Sequence, residues 1–306
     1  MLEIRALSRS FGAVKALDQV SFTVGAGRLT GFVGSNGAGK TTAMRIIMGV
    51  LSADSGAVFY GGQPVDRAID ATFGYMPEER GLYPKMGVRE QLVFFAQLHG
   101  LTRAKAVANA DGLLDRLGLA RRAKDPVEKL SLGNQQRAQI AAALVHDPAV
   151  LILDEPFSGL DPLAVDAVME VLRDFAGRGA PILFSSHQLD VVERITDDLV
   201  IIAAGQVKAA GATAALQARH AGSRHRLDLP AGADSAWVAA CPGVTAVASP
   251  AGAPGVGAST ASCTVLFDAA PDAAQAVLRQ ALALGPVNRF ERVTPPLSQV
   301  FKEVTR

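Results

Sequence analysis

A lysine in a glycine-rich turn and two adjacent carboxylates after an apolar run are the residues of this chain best suited to phosphate chemistry. The turn is GSNGAGKTT, residues 34–42, which fits the pattern Gly-x4-Gly-Lys-Thr. Across Gly34, Ser35, Asn36, Gly37, Ala38 and Gly39 the glycines let backbone N–H groups turn inward, and the N-terminus of the helix that follows adds a positive dipole. A triphosphate there meets donors rather than carbonyls. Lys40 is placed to reach the β and γ phosphates, Thr41 to ligate Mg²⁺ through its hydroxyl, and Thr42 closes the turn.

The carboxylates stand in VLILDEP, residues 150–156, at the end of a short apolar run, where ligands sit in open α/β sheets. Asp154 suits the shell of a magnesium ion, and Glu155 suits the orientation and deprotonation of an attacking water. His187 follows the run PILFSS and so reaches the same sheet edge, where it can hydrogen-bond a γ-phosphate or a water. A lone histidine in such a place more often packs or faces solvent. Ser131, in LSLGNQQRAQI, opens an alanine-rich stretch with helical spacing. It is suited either to capping that helix or to contacting an anion at its start.

These residues need elements to hold them. Residues 1 to about 30 alternate apolar and polar, which predicts paired strands, and LTGFVG predicts the strand that feeds the glycine-rich turn. The helix after the turn is expected over TTAMRIIMGVL, residues 41–51. The runs VLIL and PILFSS read as buried parallel strands, and between them Val165, Val168, Met169, Leu172 and Phe175 fall at helical spacing. From about 84 to 147 the pattern is helical. After about 220 the composition shifts to Ala, Gly and Pro, with residues 249–262 reading as a loop between the strand-like HRLDL and CTVLF, and a helix over DAAQAVLRQALAL. Trp237 reads as a core residue of that part.

Charge is balanced, with 30 Lys+Arg against 29 Asp+Glu, so no general nucleic-acid or anionic-membrane surface is indicated, and no nucleic-acid partner is expected. Cys241 and Cys263 suit a reducing compartment and read as packing residues, with a single disulfide left open. The N-terminal MLEIRALSRSFG carries early charge and predicts no secretory signal, hence a cytosolic chain. The uncharged stretch from Ser235 to Phe267 has the length of a membrane span, but Pro242, Pro250, Pro254 and four glycines argue against one.

Taken in order, GSNGAGKTT, LSLGNQQR, VLILDEP, SGLD at 158–161 and His187 resemble the ATP-binding subunit of an ABC transporter over roughly residues 1–215. The resemblance implies an α/β P-loop NTPase ABC cassette over 1–220. It comprises a mixed sheet core, an antiparallel β subdomain and an inserted helical subdomain at about 84–147, with a small α+β C-terminal domain at 221–306 following. It implies ATP and Mg²⁺ as cofactors, Lys40 and Thr41 in the phosphate loop, and a signature at 130–135. It further implies Asp154 on the metal, Glu155 as base, Asp161 in a dimer-facing turn, His187 as the switch histidine, and Phe11 as the aromatic that stacks on adenine.

In this family two cassettes dimerise head to tail. The resemblance then makes Ser131, with the backbone around Gly133, a second anion site over the γ-phosphate that the neighbour holds. The usual signature has Gly, Gly, Gln after its serine, whereas Leu132, Gly133 and Asn134 follow here; Asn134 still donates and accepts. In FGYMPEERGLYPKM, Glu78 stands where most members have a glutamine that touches metal or water. Both departures, and the phrase PEERGLYPKM, resemble the bacterial exporter subgroup that includes sodium-efflux and drug-resistance ATPases, and the tail ERVTPPLSQVFKEV resembles the small C-terminal domain many of that subgroup carry. That implies a separate polytopic membrane subunit, a second copy or homologous cassette as partner, and a cytoplasmic, peripheral place on the inner face of the cell membrane. The alternative is a non-transport ABC ATPase acting on DNA or ribosomes. Such proteins usually carry paired cassettes or long coiled-coil insertions, and this sequence has neither.

Overall fold

The alternating N-terminal pattern folds as β1 (Leu2–Phe11) against β2 (Val14–Val24), antiparallel, with Leu2, Ile4, Leu7, Leu17, Val20 and Val24 turned inward. The computed structural model describes residues 1–65, 72–79, 81–248 and 262–305. By its contacts the chain divides into one unit of Met1–Ala214 with Phe301–Arg306 and another of Ala215–Val300.

In the first unit β3 (Leu29–Val33) is buried along its whole length and runs into α1 (Lys40–Ile47). The helix stops four residues short of the expected Leu51. Gly49 adopts a left-handed conformation (φ 64°), and Met48 N–H still bonds to Met44 O, the usual way a helix is ended by glycine. Strands β4 (Ser55–Tyr60) and β5 (Gln63–Pro64) extend the hairpin into an antiparallel sheet in the order β2-β1-β4-β5.

The next strand, β6 (Phe73–Met76), precedes the helical block of α2 (Val88–Leu98), α3 (Arg103–Arg116) and α4 (Leu132–Leu144). Beyond it come β7 (Val150–Leu153), α5 (Pro162–Gly177), β8 (Ile182–Ser186), α6 (Leu189–Ile195), β9 (Asp198–Ala203) and β10 (Gln206–Ala212). Among the described residues these form a second sheet in the order β10-β9-β3-β8-β7-β6, parallel except for β10. Every residue of β7 and β8 is buried, which is why both read as continuous apolar runs. The stripe Val165, Val168, Met169, Leu172 and Phe175 on α5 is buried as its spacing predicts. Val33 pairs with Ser186 and Leu153 with Phe184, so β3, β7 and β8 finish at one edge and deliver their following loops there.

The second unit, entered through α7 (Thr213–His220), holds β11 (Arg224–Pro230), β12 (Val244–Ala248), β13 (Ser262–Ala269), α8 (Pro271–Leu284) and β14 (Arg289–Arg292). Its described strands form an antiparallel sheet in the order β12-β13-β11-β14. The last helix is α9 (Leu297–Val304). Leu227, Val238, Val265, Phe267 and Val277 make this unit's core, and Trp237 sits half-buried at its margin rather than inside, its Nε1 donating to Asp234 O at 3.0 Å. Cys241 and Cys263 are free thiols. The stretch 249–262 read as a loop lies outside the described residues, apart from Ser262, which opens β13. No helix of the described residues is long and apolar enough to cross a membrane.

Candidate active site

The loop from Gly34 to Gly39 is packed so closely that glycine is required at both ends. A Cβ on Gly34 would stand 2.5 Å from Ile202 O, and one on Gly39, whose φ is +107°, would stand 2.6 Å from Ala16 O. Lys40, the first residue of α1, is buried, and its Nζ donates to Gly34 O at 2.7 Å and Ser35 O at 3.2 Å. Among the described residues no carboxylate pairs with this ammonium. It is a concentrated positive charge on a loop of N–H donors.

Asp154 follows β7 and is 1 % exposed. Its backbone N–H donates to Met76 O at 2.8 Å, and its Oδ1 accepts from Ser185 Oγ at 2.5 Å. Its Oδ2 is buried without a hydrogen-bond partner among the described residues. Glu155 adopts a left-handed backbone (φ 53°), its N–H donates to Ser185 Oγ at 2.8 Å, and its Oε2 accepts from His187 Nδ1 at 2.9 Å. The two neighbouring carboxylates therefore face different partners. The His187 ring is exposed, so one side of the Glu155–His187 pair is open to solvent.

A cleft of about 230 Å³ joins these groups, lined by Asn36, Gly37, Ala38, Gly39, Lys40, Thr41, Thr42, Glu78, Asp154 and Glu155 together with Ala16. An unpartnered carboxylate oxygen, a threonine hydroxyl and a second carboxylate are the hard oxygen donors a magnesium ion takes, so the residues fit that ion. Tyr75, on β6, has its phenol pushed up by burial and by the Asp154 charge, with Arg45 acting the other way. It stays protonated at neutral pH.

Other expected residues are not in the cleft. Ser131 is the N-cap of α4, its Oγ accepting Asn134 N–H at 3.4 Å, so the serine does cap its own helix. Asn134 turns back, its Oδ1 accepting from Arg137, which also donates to Leu117 O at 2.8 Å. Gly133 lies beside the turn of Gly159 and Leu160, and Asp161 caps α5 by accepting Ala164 N–H at 2.8 Å. Phe11 is 48 % exposed at the tip of the β1–β2 hairpin, with the Arg9 guanidinium 5.1 Å from its ring centroid. It is a surface aromatic and not a core one.

Two residues escaped the sequence reading. Ser185 is fully buried and bridges Asp154 to the backbone of Glu155. Gln136, also buried, donates from α4 to Glu155 O at 2.9 Å and Pro156 O at 3.1 Å. The available signals were faint: a hydroxyl pair ending an apolar strand, and amides in an alanine-rich helix.

A parallel sheet that brings a glycine-rich anion loop and two strand-end carboxylates to one edge defines a P-loop nucleoside triphosphatase. The model of the ABC transporter family matches residues 17–158. The uncharacterized ABC transporter ATP-binding protein YhaQ of Bacillus subtilis is 43% identical over 206 residues, covering 67% of this chain and 69% of that protein. The linearmycin resistance ATP-binding protein LnrL of the same organism is 33% identical over 225 residues, 72% of each chain. The dimeric structure of the ABC transporter cassette MJ0796 superposes with a TM-score of 0.64 at 20% identity, covering 70% of this chain and 99% of that one, a likeness of fold. The chain belongs to the ABC transporter family, as an ATP-binding cassette of its ATPase class.

Proposed function

We propose that this cassette is the ATP-hydrolysing motor of an exporter, working as one of a pair on a separate polytopic membrane subunit at the cytoplasmic face of the membrane. One observation carries the reading. Lys40, Asp154 and Glu155 converge on a single cleft, whereas the helix start at Ser131, a second anion-binding geometry, lies outside that cleft within its own chain. Such a site is completed by a second copy arranged head to tail. The dimer formed by MJ0796 supports this, and the resistance function in the name of LnrL supports export.

In this reading Lys40 leaves the carbonyls of Gly34 and Ser35 for the β and γ phosphates of ATP, and the N–H groups of residues 36–42 hold the remaining oxygens. Asp154 through its free Oδ2, Thr41 and Glu78 hold Mg²⁺, which supplies neutralisation of the triphosphate charge. Glu155 takes the proton of the attacking water, and His187 keeps that carboxylate aimed at the cleft. Phe11, already exposed, offers a stacking face to adenine. Ser131, Gly133 and Asn134 of the partner close over the γ-phosphate, with Asp161 in the turn between the copies. Residues 1–220 carry this work, and 221–306 form an accessory domain.

The test is affinity purification of the Glu155→Gln protein from detergent-solubilised membranes with ATP and Mg²⁺, followed by mass spectrometry. A stoichiometric polytopic membrane protein is expected. Recovery of ribosomal proteins or nucleic acid in its place moves the chain to the non-transport ATPases.

A further inference from the structure

Helix α4 carries two buried glutamines three residues apart, and each is bonded to the backbone beside one carboxylate of the cleft. Gln136 holds the carbonyls of Glu155 and Pro156. Gln139, only 4 % exposed, donates through Nε2 to Pro77 O at 2.7 Å and to Glu79 O at 3.1 Å, the carbonyls on either side of Glu78. A side-chain amide has two N–H donors, and these two carbonyls use both. Residues three apart on a helix share a face, so one rigid element grips both turns.

Two further observations give the Gln139 contact weight. Among the described residues the Glu78 side chain makes no hydrogen bond or ion pair of its own, yet it lines the cleft beside Lys40 and Asp154. Its placement is set by the backbone that Gln139 holds. The Oε1 of Gln139 is buried with no hydrogen-bond partner among the described residues, in a helix whose neighbouring positions 138, 141 and 143 are buried alanines. An apolar side chain would avoid that stranded acceptor. The donor end is what the amide contributes.

We propose that Gln139 is a positioning residue for ATP hydrolysis: by clamping the carbonyls that flank Glu78 it aims that carboxylate at the cleft. With Gln136 it ties the settings of Glu78 and Glu155 to the one helix that begins at Ser131. The inference rests on the reading of Glu78 as a group that meets the metal or the attacking water.

The experiment is a double-mutant cycle in the full chain with Gln139→Met and Glu78→Ala, reading turnover, the KM for ATP and the Mg²⁺ concentration at half-maximal rate. Methionine keeps the length of the side chain and removes both donors and the stranded acceptor. Gln139→Met is expected to lower kcat by about 10- to 100-fold, the scale of a misplaced catalytic group, with KM for ATP within about threefold. It should also raise the half-saturating Mg²⁺, a quantity that loss of folded protein does not change. Gln139→Met should add nothing to Glu78→Ala, because it acts through Glu78.

Multiplicative losses in the double variant, or an unchanged Mg²⁺ requirement in Gln139→Met, overturn the positioning role while leaving Glu78 in place. Normal turnover and Mg²⁺ requirement in Glu78→Ala alone overturn the reading of Glu78 itself, and the inference with it.

Discussion

Replacing Ser185 by alanine removes one oxygen and strands two groups. That oxygen donates to Asp154 Oδ1 and accepts the Glu155 N–H, and the residue is fully buried. The Asp154 Oδ2 already lacks a partner among the described residues, so the variant leaves the carboxylate without a bond at either oxygen. A hydrogen bond to a charged group contributes about 1.5–3 kcal/mol, and a stranded buried donor costs about 1–3 kcal/mol. The two losses share one atom and overlap, so we expect about 3 kcal/mol in all. At about 2–4 °C per kcal/mol for a unit of this size, the thermal midpoint should fall by roughly 6–12 °C. The assay is thermal and urea unfolding without nucleotide, repeated with Mg²⁺ and ATP, which should restore part of the loss by giving Asp154 a new partner. A cycle with Asp154→Ala should show a coupling of at least about 1 kcal/mol. A loss below about 1 kcal/mol, or additivity with Asp154→Ala, would refute the bridging role of the serine.

Gly39→Ala places a Cβ 2.6 Å from Ala16 O at a φ of +107°, and should weaken nucleotide binding by at least about tenfold; titration with a fluorescent ATP analogue at wild-type affinity would refute this. Ser131→Ala loses a long cap bond of 3.4 Å, so stability should fall by only about 0.5–1 kcal/mol while turnover drops more than about tenfold and monomer nucleotide binding persists. Selective loss of binding would return Ser131 to an intrachain role alone. His146 stacks on His99 with centroids 3.7 Å apart, and burial, followed by the His99 charge, pushes its pKa from the ordinary 6.5 to about 4. The unfolded chain therefore takes up a proton below pH 6.5 that the folded chain refuses, and stability falls as pH drops from 6.5 towards 4. The full shift corresponds to about 3 kcal/mol, and the ring's partial exposure reduces the expected loss to about 1–2 kcal/mol. Urea midpoints at pH 7 and 4.5 should show this component vanish in His146→Phe, and an unchanged pH dependence in that variant would remove His146 as its source.

What could be read from the sequence was local. The phosphate loop is a contiguous stretch recognised by the spacing of its own residues, although the atoms that demand glycine at 34 and 39, Ile202 O and Ala16 O, lie far along the chain, and the buried runs of β7 and β8 announce themselves by composition. The early end of α1 was missed: Gly49 is a strong helix terminator, but the apolar residues after it masked the signal. Long-range side-chain bonds were not legible. Ser185 meets Asp154 across 31 residues, and Gln139 meets Pro77 across 62. Both depend on the strand order β3-β8-β7-β6, which no single stretch encodes. Asn134 shows the same limit in reverse: its chemistry suited an anion site, yet Arg137, three residues on, occupies its oxygen.

The left-handed backbone at Glu155 explains how two adjacent carboxylates come to face different partners. For a residue with a Cβ this conformation costs about 1–2 kcal/mol, so something must hold it. Its N–H is held by Ser185, and its carbonyl accepts both from Gln136 and from Ser158 N–H at 3.2 Å. None of these bonds involves the Glu155 carboxyl group. Glu155→Gln therefore keeps every contact that fixes the turn, and a glutamine oxygen can still accept from His187 Nδ1. The variant removes a charge and a proton acceptor and little else, so a fall in turnover of about 10²–10⁴ with ATP binding retained measures the base chemistry of Glu155 itself. Were turnover to persist, the strained turn would be serving only to position Asp154.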